Sequence, residues 1–137
     1  MARIFKYRRT AEGESTQPAI PITLFGSESK AQFLAILDSG SSETFIPMWV
    51  AQKLGCQIKS EPIDVKVPAD EKKAYGSKVR IEVDLGYNKF DREIECLVMD
   101  GLLEIILGRH SFFQFFEITF VEKEKRLKLK QIETKPR

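Results

Sequence analysis

The residues best placed to do chemistry are Asp38 and the three small residues after it, Ser39, Gly40 and Ser41. The carboxyl group follows the apolar run 35–37, at the end of a predicted buried strand. Desolvation there could move its pKa, Gly40 would let backbone N–H groups approach it, and the two hydroxyl groups could orient it. The same residue types also form ordinary turns. Taken alone, the stretch leaves a turn and an acid–base site both open.

Other chemistries lack the residues that they require. The chain has one histidine, His110, and two scattered cysteines, Cys56 and Cys96. These cannot supply a zinc set, and nothing brings them into a Ser–His–Asp or Cys–His arrangement. Gly40 and Gly108 are isolated, so no phosphate-binding loop is present. We therefore predict no metal and no cofactor, and we expect both cysteines to be free thiols.

Composition indicates one ordinary globular domain. The chain has 137 residues, of which 42% are apolar and 31% are charged. We predict one domain over 1–137, with a core at about 18–121, an N-terminal arm at 1–17 and a C-terminal hairpin and tail at 122–137.

Charge and hydropathy bear on partners and compartment. A net charge of +2 gives no electrostatic argument for nucleic acid. No apolar run approaches the roughly 20 residues of a membrane span, and charges occupy the place of a signal peptide's apolar core. We expect a cytoplasmic protein that binds neither nucleic acid nor membrane.

The hydrophobic patterns predict a mostly β chain. Alternation marks strands at 63–67 and 79–85, with a charged hairpin tip at Pro68–Lys73 between them. Further strands are predicted from the apolar segments 4–8, 19–25, 32–37, 94–99 and 102–107, and a terminal hairpin from 117–129. A short helix is expected over Pro47–Gly55, and a second one over Arg109–Phe116.

Three segments together resemble the retropepsin-like aspartic proteases. Leu37–Ser41 is similar to that family's active-site motif of an apolar residue, Asp, Ser or Thr, Gly, and Ser or Ala. Ile106, Leu107, Gly108 and Arg109 resemble its second signature, two apolar residues and a glycine that opens a short helix. Between these lies a segment similar to the family's flap hairpin, which includes Pro68, Ala69, Asp70 and Glu71.

The resemblance implies a closed β-barrel of the single-lobe acid protease type, with one or two short helices. It implies an aspartic endopeptidase acting on a protein or peptide. Because the chain has one Asp-Ser-Gly motif, the resemblance implies a homodimer in which each copy supplies Asp38. Ser39, Gly40 and Ser41 would support the site, with Ser41 able to hydrogen-bond an outer carboxylate oxygen. Segment 106–109 would buttress the Asp38 loop, the flap would close over the substrate, and the chain ends would form interface strands.

Two departures from the family leave alternatives open. Glu71 stands where the flap often has a glycine, and Ser42 stands where viral members have an aspartate that pairs with the arginine. Arg109 pairs with Glu43 instead, or the interface is weaker. The chain could also be a weakly active or inactive dimerisation or peptide-binding module, or an unrelated barrel with a chance Asp-Ser-Gly turn.

Overall fold

The computed structural model of the protein describes residues 1–10, 15–67 and 70–132, without the side chains of Val67, Asp70 and Glu71. Its strands and helix run in the following order: β1 (Arg3–Lys6), β2 (Arg8–Arg9), β3 (Thr16–Gln17), β4 (Ala19–Phe25), β5 (Lys30–Leu37), β6 (Phe45–Pro47), α1 (Met48–Leu54), β7 (Ile58–Val67), β8 (Asp70–Asp84), β9 (Lys89–Met99), β10 (Ile105–Leu107), β11 (Phe116–Val121) and β12 (Arg126–Gln131).

The centre of the fold is a closed barrel. Its strands follow the order β4-β5-β10-β6-β9-β8, and a further pairing of β4 with β8 closes the ring. β7 pairs with β8 outside the ring, and the short β2 and β3 pair with each other. The predicted mostly β, closed-barrel fold is confirmed.

Alternating side chains fill the barrel. In β8, Val79, Ile81 and Val83 are buried, while Lys78 and Arg80, which alternate with them, are exposed. Each buried aliphatic side chain of this size contributes about 1.5–3 kcal/mol of transfer free energy. The period of two that the sequence shows at 79–85 therefore reports the inward face of the strand directly.

The predicted helix forms as α1. Val50, Ala51 and Leu54 are buried on its inner face, and Pro47 precedes its first turn. Gly55 ends it with φ of 73°, a left-handed conformation that costs glycine little, and its N–H donates to the Gln52 carbonyl at 3.2 Å. No helix within the described ranges is long and apolar enough to cross a membrane.

The second predicted helix, over Arg109–Phe116, does not form as an α-helix. Only a single 3-10 turn, Phe113–Phe115, is present. Ser111 takes φ of 76°, which breaks a right-handed helix at that point. Phe112 and Phe116 are nevertheless buried, so the aromatic residues reach the core without a helix.

The two ends of the chain pair with each other. β1 pairs antiparallel with β12, and β12 pairs with β11, which gives a separate three-stranded sheet. Phe5, Tyr7, Leu127 and Leu129 from these ends belong to the main core. The segments predicted as an arm and a tail therefore contribute to the barrel's packing, and β1 and β12 pair within one chain.

The cysteines differ in reactivity. Both are free, as predicted. Burial, with a smaller contribution from the neighbouring Cys56, raises the pKa of Cys96 to about 12, and burial also raises the pKa of Cys56.

Because only thiolates react, we expect iodoacetamide at about pH 8 to modify half-buried Cys56 well before buried Cys96. Peptide mass spectrometry measures both rates; equal rates in the native protein contradict this, and equal rates in urea serve as the control.

The raised pKa of Cys96 also affects the stability of the fold at alkaline pH. The pKa of Cys96 is above its ordinary value of 9.0 in the folded state, so the folded protein holds this proton more tightly than the unfolded chain. We therefore expect the free energy of unfolding to be unaffected by this group below about pH 9, and to fall as pH rises from there towards about 12. Urea unfolding of wild type and Cys96→Ala across this range measures the effect, and identical pH slopes would contradict it.

Candidate active site

Asp38 lies where two parallel strands end side by side. β5 and β10 pair with Ala35 opposite Ile105 and Leu37 opposite Leu107. The Asp38 N–H continues this ladder by donating to the Leu107 carbonyl at 3.0 Å. The loops that follow both strands therefore meet at the same edge of the sheet.

The Asp38 carboxylate is fixed by its own loop. Its Oδ1 accepts a hydrogen bond from the Gly40 N–H at 2.9 Å, and the backbone carbonyl of Asp38 accepts one from the Ser41 N–H at 3.1 Å. A Cβ atom on Gly40 would lie 3.2 Å from Oδ1, which is tighter than ordinary packing. The glycine thus gives the carboxylate the backbone approach that the sequence suggested.

The Asp38 carboxyl group is not buried in a single chain, contrary to the expected desolvation. Asp38, Ser39 and Gly40 are all exposed, because β5 carries the acid past the core to the surface. The Ser41 hydroxyl donates to the Glu43 carbonyl at 2.7 Å and so stabilises the loop. In one chain it therefore does not make the expected hydrogen bond to the Asp38 carboxylate.

Segment 106–109 contacts the Asp38 loop closely. Leu107 is fully buried, and a Cβ atom on Gly108 would overlap the Glu43 carbonyl and lie 2.9 Å from the Ser41 carbonyl. The Arg109 N–H donates to that Ser41 carbonyl at 2.9 Å, and the His110 N–H donates to the Ser42 carbonyl at 2.9 Å. Only glycine fits at position 108, so the two loops pack backbone to backbone.

The Arg109 side chain does not pair with Glu43. It is exposed and forms no ion pair with any residue that the structure describes. Backbone hydrogen bonds therefore hold this segment in place of the arginine–carboxylate pair left open above.

The β7–β8 hairpin extends beyond the barrel. β8 pairs with β9 only from Ala74 onwards, whereas it pairs with β7 as far as Val67 opposite Asp70. Asp70 to Lys73 therefore belong to a strand, and the predicted tip at Pro68–Lys73 was too wide. Charged residues are as typical of a two-stranded ribbon exposed to solvent on both faces as they are of a loop, which explains the error. Pro68 and Ala69 lie outside the described residues.

The Asp38 loop and segment 106–109 lie within a stretch that matches a known protein family. The aspartyl protease family profile matches residues 20–110, most of the chain and all of the contacts between the two loops. The chain belongs to the aspartyl protease family. A search of curated protein sequences finds no match.

Two solved structures of proteases share the fold of this family member. One is a retropepsin-like aspartic protease from Rickettsia conorii, with 20% identity, a TM-score of 0.55 and coverage of 94% of this chain and 91% of that one. The other is the EIAV protease in complex with the inhibitor HBY-793, with 15% identity, a TM-score of 0.51 and coverage of 74% and 88%. At these identities the likeness shows the retropepsin-like fold.

Thr44 is a positioning residue that the sequence did not single out. It is fully buried, and its hydroxyl donates to the His110 carbonyl at 3.1 Å and accepts from the Gly108 N–H at 3.2 Å. Its own carbonyl accepts from the Leu97 N–H at 2.9 Å. One residue thus joins the Asp38 loop, the segment after β10 and the barrel wall, although a threonine between Glu43 and Phe45 gives no such signal in sequence.

Removing the Thr44 hydroxyl should destabilise the fold. In Thr44→Val the Gly108 N–H and the His110 carbonyl lose their partner with little change of shape, so we expect a loss of about 1–3 kcal/mol. Thr44→Ser keeps the hydroxyl and should recover part of the loss. Urea unfolding measures both variants, and a Thr44→Val protein as stable as wild type would contradict this account.

Proposed function

We propose that the protein is an aspartic endopeptidase that works as a homodimer, with Asp38 of each copy as the catalytic residue. The observation that carries the proposal is an exposed carboxylate, held by the Gly40 N–H at 2.9 Å, in a member of the aspartyl protease family. The chain has a single Asp-Ser-Gly motif. A water-activating pair of carboxyl groups therefore requires a second copy.

The surroundings of Asp38 support this half-site. Ser39, Gly40 and Ser42 are exposed beside it, so a second copy can approach the carboxylate without unfolding either chain. The loop is fixed by backbone hydrogen bonds before any partner arrives. Such preorganisation lowers the entropic cost of bringing two carboxyl groups together.

The chemistry follows from two neighbouring carboxyl groups. Like charges at short range disfavour double ionisation, so the pair holds one proton between its members. The ionised Asp38 takes a proton from a water molecule, which attacks the scissile carbonyl, while the partner's Asp38 donates its proton to the carbonyl oxygen. The tetrahedral diol then collapses as the leaving nitrogen is protonated, and the amide bond breaks.

We propose that the β7–β8 hairpin acts as the flap. Its outer part, Ile63–Val67 with Asp70–Lys73, has no third strand beside it in the described structure, so it can bend towards a substrate. Ile63 is 49% exposed on this arm and offers an apolar contact for an extended peptide. Hairpin residues 68–71 would cover the substrate by pairing with its backbone.

Asp38→Asn should abolish cleavage. The amide cannot act as a general base, so we expect kcat/KM on a cleaved library peptide to fall by at least about 10³-fold. The exposed position of Asp38 predicts an unchanged circular dichroism spectrum and melting temperature. Asp91→Asn, an exposed carboxylate of β9 paired with Arg80, is the matched control and should retain cleavage.

Two outcomes of that experiment would overturn the proposal. One is an Asp38→Asn protein that cleaves at the wild-type rate. The other is wild type that binds a peptide without cleaving it from about pH 3 to 8, with binding kept in Asp38→Asn, which would select the non-catalytic binding module.

The pH dependence should report two groups. Because one carboxyl group must carry a proton while the other carries none, we expect a bell-shaped profile of kcat/KM. Asp91→Asn should give the same profile as wild type. A profile with one limb that reaches a plateau would indicate a single titrating group and contradict the pair.

A further inference from the structure

The sheet next to Asp38 has one face in the core and a second face that is only half-buried. On this second face, Ile106 of β10 lies opposite Ile36 of β5 and opposite Phe45 of β6. Phe45 in turn lies opposite Leu97 of β9. Paired residues share a face of a sheet, and all four of these apolar side chains are half-buried. We call this surface the groove floor. Asp38 follows Ile36 by two positions and therefore continues the same face.

The groove floor continues onto the β7–β8 hairpin. Leu97 lies opposite Gly76 of β8, and alternate residues of β8 place Lys72 on the same face as Gly76. Val65 of β7 lies opposite Lys72 and joins it on this face. Asp38 and Lys72 therefore stand at two ends of one continuous and mostly apolar surface.

The two faces of the hairpin differ in how their charges are neutralised. On the outer face, Lys66 and Lys73 are exposed, and Lys73 forms an ion pair with Asp64. On the face that continues the groove floor, Lys72 and Val65 are half-buried. No ion pair or side-chain hydrogen bond joins Lys72 to any residue that the structure describes. The described part of the chain thus leaves this half-buried cation without a counter-charge.

The Lys72 ammonium group lies beside the turn that leads into β10. A Cβ atom on Gly101, in this turn, would lie 2.9 Å from Lys72 Nζ. β10 runs from the turn to Leu107, whose carbonyl accepts the Asp38 N–H. A peptide that lies on the groove floor and beneath the hairpin would therefore contact Lys72.

Closing the hairpin over a peptide would remove water from the Lys72 ammonium group. A buried ammonium group without a partner is far more costly than one that is paired with a carboxylate. The aliphatic stem of a lysine can pack on an apolar surface, but its charge still needs water or an anion. A peptide with an acidic side chain at the facing position supplies that anion, and a peptide with a neutral side chain does not.

We propose that Lys72 is a specificity-determining residue, which selects substrates with an aspartate or glutamate side chain facing the β7–β8 hairpin. This rests on the proposed function, because it assigns a substrate class to the same site. An extended peptide directs alternate side chains to opposite sides. The acid is therefore required at a fixed position relative to the cleaved bond, and the net charge of the peptide is not what matters.

The first test compares matched peptides. A library of short synthetic peptides, with cleavage products identified by mass spectrometry, should show aspartate and glutamate enriched at one position relative to the cleaved bond. In a peptide of this kind, replacing the acid by its amide should lower kcat/KM of wild type about tenfold. In Lys72→Gln this ratio should fall to about one, and Lys72→Glu should prefer lysine at the same position. Lys72→Arg keeps the charge and should keep the preference for the acid.

Lys66→Glu is the matched control. It makes the same charge change in the same hairpin, on the exposed outer face, and should leave the acid preference unchanged. Circular dichroism and the melting temperature verify the fold of each variant. The inference is overturned by a wild type that cleaves acid and amide peptides equally at every position. It is overturned equally by an acid preference that survives in both Lys72→Gln and Lys72→Glu.

A binding measurement separates this inference from the proposed function. Capture of the same peptide library on immobilised Asp38→Asn needs no turnover and should enrich peptides that contain aspartate or glutamate. If wild type cleaves nothing but this enrichment occurs and is lost in D38N/K72Q, the endopeptidase is contradicted and the role of Lys72 stands. Cleavage without any preference that depends on Lys72 contradicts this inference alone. The absence of both cleavage and a Lys72-dependent enrichment contradicts both.

Discussion

The parallel pairing of β5 with β10 is the contact on which the candidate site depends. It ends both strands at one edge of the barrel, with Asp38 bonded to the Leu107 carbonyl at 3.0 Å. Gly108 can then pack against the backbone of the Asp38 loop, where any side chain would overlap the Glu43 carbonyl. Without this register, the Thr44 hydroxyl would not meet its partners, the Gly108 N–H and the His110 carbonyl.

This arrangement prepares one half of a site and exposes it. The loop is held by backbone hydrogen bonds, and the carboxylate is at the surface with Ser39, Gly40 and Ser42 exposed beside it. The sheet at the chain ends forms within one chain, in the order β1-β12-β11. The proposed twofold axis would bring a second Asp38 to this lone carboxylate and complete the site.

The local sequence was sufficient to predict the features that depend on interactions between residues close together in the chain. The alternation around Ile81 marked a strand, Gly55 marked the end of a helix, and the motif at Asp38 marked the loop. Long-range choices were not visible. Nothing in the sequence shows that β1 pairs with β12 across the whole chain, or that Thr44 meets Gly108. The local pattern also predicted a helix over Arg109–Phe116, and the left-handed conformation of Ser111 prevents it from forming.

The most direct test of the half-site is a mixture of wild type with Asp38→Asn, equilibrated at a total concentration well above the dimer dissociation constant. If both carboxyl groups are needed, the cleavage rate should fall with the square of the wild-type fraction, to about one quarter at equal amounts. A rate of about one half would mean that each Asp38 acts independently, and a rate of about three quarters would mean that one Asp38 is sufficient in a dimer; either would contradict the shared site.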